Sequence, residues 1–375
     1  LSIRRQRQMC IRDRASGIVA HNVTTVATLG ASAATSVADI TAPNVAGAGN
    51  IDIQALRTTA NITPTGGTTL IRISRGGLII NGGTASTLSA PVLFGTADGA
   101  ALTEAIVYVR DGQTGTSAIT GGITARDFTK TGPGVLEIGG AANFLNSNAV
   151  RLPVLSVQDG TLRFASTGAQ FQNQLRGNTV GDYLGHYALN VNEAGVFDLN
   201  GLNINLGGLV GNGTITNGPA GSAALTVKNG FGVDTTFNGS IKDGAGVVGL
   251  TKSQDGILTL AGHSTYSGGT TVQSGRVTNA LGSTAGLGRL EAQTVTALGT
   301  GGITLEGGTL RLNAATLLNG AQNLSEVSNS LDYLLWGGPT GLNVTVSNTS
   351  YSNGVLLPAN VTSTLNAVTQ NAGIN

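Results

Sequence analysis

Phe128–Gly140 reads FTKTGPGVLEIGG, and Leu250–Gly262 reads LTKSQDGILTLAG. The Thr-Lys pair, the inner Gly and the apolar places after it recur at an offset of 122 residues. A second element follows each copy. Val157–Leu162 (VQDGTL) matches Val272–Val277 (VQSGRV) at an offset of 115, so the first copy holds seven extra residues between its elements. Thr304–Leu312 (TLEGGTLRL) is a third version of the second element, matching Ser156–Phe164 (SVQDGTLRF). A strand–turn unit cannot bury its own apolar face, so recurring units predict stacking.

The texture around these copies is uniform. Short apolar–polar alternations recur at Leu70–Ser74 (LIRIS), Ala105–Arg110 (AIVYVR), Thr161–Phe164 (TLRF), Gly195–Leu199 (GVFDL), Gly256–Leu260 (GILTL) and Thr309–Leu312 (TLRL). Side chains alternate along a strand, so Leu162 and Phe164 face one side and Arg163 the other. Turn signals separate the runs, among them Asn81-Gly82-Gly83, Asp159-Gly160, Asn217-Gly218 and Asp243-Gly244. Gly and Asn tolerate the positive φ angles of tight corners. The best helical stretch is 313–335, and Asn and Gly interrupt it.

Composition agrees. Of 375 residues 58 are Gly, and charged residues are only 10%, which argues against disorder and against a helical bundle. Eight Pro are too few for collagen. The expected fold is all-β: a right-handed parallel β-helix (β-solenoid), open at one or both ends. At roughly 25 residues per coil and ~4.8 Å per coil, about 14 coils would make a rod of order 70 Å. Asn side chains are expected to form ladders along the corners. A β-sandwich array is the runner-up, but it should show separate domains and linkers.

Residues 4–14 (RRQRQMCIRDR) resemble a translated sequencing adaptor, so 1–14 is set aside as non-native and 15–375 is read as the repeat region, clearest at 128–164 and 250–312. Met9 and Cys10 are the chain's only Met and Cys. Without the segment, 15 basic face 18 acidic residues, and net charge moves from +1 to −3. There is then no disulfide framework and no Cys-based zinc site. No apolar run reaches the ~18 residues of a membrane-spanning helix. Low basic content argues against nucleic acid.

Thr251–Val277 (TKSQDGILTLAGHSTYSGGTTVQSGRV) resembles the autotransporter-associated β-strand repeat, also called the passenger-associated transport repeat. The motif residues are Thr251, Lys252, Gly256, Leu258, Leu260, Gly262, Tyr266, Gly268, Gly269, Thr270, Thr271, Val272 and Gly275. Gln254 and Asp255 depart from it, standing where Gly and a small residue are usual. Ser264 replaces an Asn, and Arg276-Val277 replaces Thr-Leu. The copy beginning at Thr129 puts Phe144 at the Tyr266 place. The resemblance implies a surface-exposed or secreted bacterial passenger, normally followed by a C-terminal outer-membrane β-barrel. No barrel signature occurs before Asn375, so the chain is expected to be truncated at both ends. Gly268 and Gly269 are expected to form a corner too tight for a side chain. Tyr266 should flank the core and keep its hydroxyl wet. Thr270, Thr271 and Val272 favour a strand.

Catalytic patterns are weak. His21, His186 and His263 are mutually distant, so no metal-ligand spacing exists. His263 reads as a solvent-facing turn residue. His186, in DYLGHY, reads either as loop packing or as part of a ligand-stacking patch. No GxSxG occurs. The acids are dispersed, against the paired carboxylates or calcium-holding clusters of β-helical polysaccharide enzymes. The expected function is a non-enzymatic stalk that aids export and displays other regions, with no cofactor and no metal. The alternative is an adhesin-type surface for glycans or proteins; a polysaccharide-active enzyme is a distant third. A binding face should gather aromatics on one side. Trp336, in LLWGG, is a candidate for either a local role or packing.

Overall fold

The computed structural model describes residues 11–14, 17–20, 23–25, 29, 37–66, 69–96, 101–144, 153–169, 171–173, 187–230, 233–273, 275–279, 282–286, 288–294, 296–306, 309–312, 323–326, 334–335 and 343–344. His21, His186, Trp336 and the insertion that lengthens the first repeat copy lie outside the described residues. The described parts of 313–335, Asn323–Glu326 and Leu334–Leu335, are strand. Ile11–Arg14 pairs antiparallel with Gly17–Ala20. The chain divides into two compact units, Leu1–Ser147 and Asn148–Asn375, and the division falls within 128–164.

In the first unit the chain visits three parallel ladders in turn. One runs Val37–Ile40, the second half of Asn50–Thr58, the second half of Leu70–Ile80, Glu104–Val109 and Asp127–Thr131. The next runs Asn44–Ala46, Ile62–Pro64, Thr87–Leu88, Ser117–Ile119 and Val135–Ile138. The last uses the first halves of Asn50–Thr58 and Leu70–Ile80, then Val92–Phe94, Ile123–Ala125 and Ala142–Phe144. Asn50–Thr58 and Leu70–Ile80 thus bend from one ladder into another, with a register shift between Ile53 and Ala55.

The second unit repeats this plan. Ile204–Leu206, Ser222–Lys228, Val247–Ser253, Thr270–Gln273, Ile303–Glu306, Asn323–Glu326 and Asn343–Val344 form one all-parallel sheet. The first half of Ala188–Asp198, then Gly208–Gly211, Thr235–Phe237, Ile257–Leu260, Arg289–Ala292 and Thr309–Leu312 form another. A third joins the second half of Ala188–Asp198 to Thr214–Thr216 and Ser240–Ile241. Each unit is all-β and its long sheets are parallel, consistent with a β-solenoid.

Circuit length is less regular than the expected 25. Paired residues are 18 positions apart from Val37 to Ala55 and 33 apart from Thr270 to Ile303. The long circuit carries an antiparallel hairpin, Gly275–Asn279 with Gly282–Gly286. This corrects the expected equivalence of Val272–Val277 and Val157–Leu162. The latter lies inside one continuous parallel strand, Val154–Phe164, whereas Gly275 opens the hairpin.

Period-2 patterning places the core. Ala38, Leu56, Leu78 and Val107 form one inward column in the first unit, each at most 1% exposed. Leu162, Phe164, Phe197 and Leu199 are buried in the second, and the Phe164 and Phe197 rings meet edge-on at 5.9 Å. At one corner asparagine side chains bond the backbone of neighbouring circuits, which is not the expected side-chain ladder. Buried Asn217 accepts from Gly201 N at 2.7 Å and donates to Gly221 O and Val247 O at 3.3 Å. Asn200 donates to Phe164 O, and Asp198 accepts from Gly218 N.

Candidate functional site

The distinctive chemistry of the repeat lies at the corner that follows Val247–Ser253. Alternation along this strand turns Leu250 inward, Thr251 outward and Lys252 inward again. Lys252 therefore enters a column otherwise built of Leu206, Val227 and Val272. It is fully buried, like its counterpart Lys130, which stands across from Val107. A buried amine must be hydrogen-bonded. Lys252 Nζ donates to Ser253 O at 2.5 Å and Gln254 O at 2.9 Å, so the amine caps the carbonyls of its own turn. Lys130 Nζ does the same for Gly132 O. Burial lowers the Lys252 pKa to about 7, and the carboxylates of Asp255 and Asp234 pull it the other way. The structural use of this lysine escaped the sequence reading, although its parity with Leu250 was the signal.

The corner is tight. Gln254 adopts φ +64°, a left-handed conformation also taken by Gly132 in the first copy at +78°. A Cβ added to Gly256, Gly262 or Gly268 would stand 2.3, 1.9 or 2.5 Å from a carbonyl oxygen of Val233, Gly239 or Val248. Gly269 has φ +87°, so the Gly268-Gly269 pair fits the corner expected of it.

Tyr266 differs from expectation. Its ring is fully buried, and its hydroxyl is not wet: it lies 2.6 Å from Thr270 Oγ1 inside the core. Burial pushes its pKa upward, against the hydrogen bond it shares with Thr270. The physical reason is that Thr270, 1% exposed, supplies the polar partner that water would otherwise provide. Leu258, Leu260 and Val272 are buried as the alternation requires. His263 is exposed, with Nδ1 2.9 Å from Thr296 Oγ1.

The outward side of the same sheet carries one row. Asn205, Thr226, Thr251, Thr271 and Thr304 are paired strand to strand, so the motif's threonines at 251 and 271 are direct neighbours. Among the described residues no group of three metal-ligating His, Cys, Asp or Glu side chains occurs, and no helix is long and apolar enough to cross a membrane.

The arrangement defines a structural repeat with an outward polar face. Residues 250–278 match the family described as passenger-associated-transport-repeat. Over 174 residues the chain is 30% identical to a protein described as "Adhesin BmaC autotransporter" from Brucella suis biovar 1 (strain 1330). That similarity covers 45% of this chain and 5% of the relative, so the chain spans a small part of that protein's length. No solved structure matches.

Proposed function

We propose that the chain is part of the passenger of an autotransporter-like protein, a right-handed parallel β-helix serving as a rigid, non-catalytic stalk. One observation carries this reading. Two strands of the segment that matches the transport repeat, Val247–Ser253 and Thr270–Gln273, lie inside an unbroken parallel register from Ile204–Leu206 to Ile303–Glu306, and Leu258, Leu260 and Val272 are in the core. Each circuit templates the strand edge for the next, so folding outside the cell can proceed vectorially and oppose back-sliding. The whole protein would sit at a bacterial cell surface, anchored through a C-terminal outer-membrane barrel, or be released from it. The test joins this chain between an export signal and an outer-membrane translocator barrel. Deleting 250–278 should reduce protease-accessible surface display several-fold while periplasmic delivery persists. Undiminished display would refute the transport role.

A second reading, an adhesin-type surface for glycans or proteins, is favoured by the outward threonine row and by the relative's printed name. Its hydroxyls recur at roughly the ~4.8 Å strand spacing, a flat strip without aromatic rings. Tyr108 is half-buried, whereas Phe94, Phe128, Phe164, Tyr187, Phe197, Phe237 and Tyr266 lie in the core. Glycan binding by the intact chain, lost on Thr251→Lys with Thr271→Lys, would support this reading; unchanged binding would move any site elsewhere.

A further inference from the structure

The Lys252 corner holds more polar groups than the protein itself satisfies. Asn229 is fully buried; its Nδ2 donates to Thr235 Oγ1 at 2.7 Å, and its Oδ1 has no partner. Gln254 is 7% exposed, and its Oε1 has none. Asp255 Oδ1 and Arg289 Nε are buried in the same condition. Stacked turns bring these groups to one corner. Gly256 N donates to Asn229 O at 2.6 Å, and Ile257 N to Asp234 Oδ1 at 2.8 Å. The pairing of Lys228 with Ser253 sets Asn229 beside Gln254. Ile257 pairs with Arg289, and a Cβ on neighbouring Gly288 would stand 2.9 Å from Gln254 O.

Buried polar groups in native proteins are almost always hydrogen-bonded, to protein or to ordered water. The occupant of this corner must donate to three oxygens. It must also accept from Arg289 Nε and from the third N–H of a charged Lys252. A metal ion cannot accept, and the Lys252 ammonium repels it. An anion cannot donate, and Asp234 and Asp255 repel it. Water does both and typically makes about three hydrogen bonds when enclosed.

We propose that this corner is a hydration site, enclosing ordered water that bridges Asn229 Oδ1, Gln254 Oε1 and Asp255 Oδ1 to Lys252 Nζ and Arg289 Nε. The first repeat copy supplies an internal control. Val109, Gly132 and Pro133 occupy the places of Asn229, Gln254 and Asp255, so that corner offers no polar side chain at those three places.

Oxygen-17 relaxation dispersion on the full chain counts long-lived internal waters. The variant Asn229→Val, Gln254→Gly, Asp255→Pro copies the corner of the first repeat. Its count should fall by one or more, and a crystal structure of the parent chain should show water density on Asn229 Oδ1 and Gln254 Oε1. If the triple variant does not fold, Asn229→Val alone gives the same readout, since it removes the most buried acceptor. An unchanged count in a variant with the parent's circular dichroism overturns the proposal. So does an anomalous-scattering peak that identifies a metal at the corner.

Discussion

The corner at Lys130 and the corner at Lys252 carry the same Thr-Lys pair and bury the same amine, yet their surroundings differ. At Lys130 the turn is Gly132-Pro133-Gly134 and the neighbouring strand offers Val109. At Lys252 the turn is Gln254-Asp255-Gly256 and the neighbour is Asn229. Both satisfy the requirement that matters to the backbone, an amine under the turn's carbonyls. The difference teaches that the motif's lysine is a cap first, and that the polarity around it varies freely. A turn of Gly and Pro has its φ angles set by residue type. A turn of Gln and Asp has them imposed by stacking.

The largest expected effect should not distinguish the copies. A Cβ at Gly262 would stand 1.9 Å from Gly239 O, and one at Gly140 would stand 2.4 Å from Thr120 O. Gly262→Ala and Gly140→Ala should each lower stability by about 3 kcal/mol, read from urea midpoints. A tolerated alanine at either place would break the equivalence of the two corners.

The next effect belongs to Lys252. An unfolded lysine keeps its proton until about pH 10.5, whereas Lys252 in the folded chain releases it near 7. Between these values the unfolded state binds more protons, so this group makes stability rise with pH. From pH 7 to 9, below the range where tyrosines ionise, the gain should be about 2 kcal/mol. Lys252→Met should abolish this slope in thermal-unfolding series, and a slope that survives the substitution would place its origin elsewhere.

Smaller changes convert one copy into the other. Gln254→Gly relieves a left-handed residue, so stability should rise by about 1 kcal/mol in urea titrations. Tyr266→Phe restores the residue type at Phe144 in the first copy and deletes the bond to Thr270. Melting should report a loss of about 1 kcal/mol or less.

The parallel β architecture was legible because its two signals are local and repeated. Alternation fixes which side chains face inward, as Leu258, Leu260 and Val272 show. Gly-bearing turns mark corners, and the contacts of Gly262 and Gly268 bear that out. What escaped depended on which groups meet once the chain turns its corners. Tyr266 looks amphipathic in sequence, and its buried partner Thr270 shares a stretch read only for strand propensity. Lys252 sits at an inward parity, but a charged residue there is legible as a cap only when the turn's carbonyls are seen beneath it. The hairpin Gly275–Asn279 with Gly282–Gly286 was hidden because its sequence imitates the parallel element of the other copies. The choice of stalk or adhesive face rests on the outward row Thr226, Thr251, Thr271 and Thr304, whose regularity emerges only from the register.

That hairpin also has a use for protein engineering. Thr270–Gln273 and Ile303–Glu306 stay in register although 33 positions separate their paired residues, so the ladder reads strands and is indifferent to the length of chain spliced between them. A foreign epitope inserted between Asn279 and Gly282 would lengthen a side branch and leave the load path through the parallel sheet as it is.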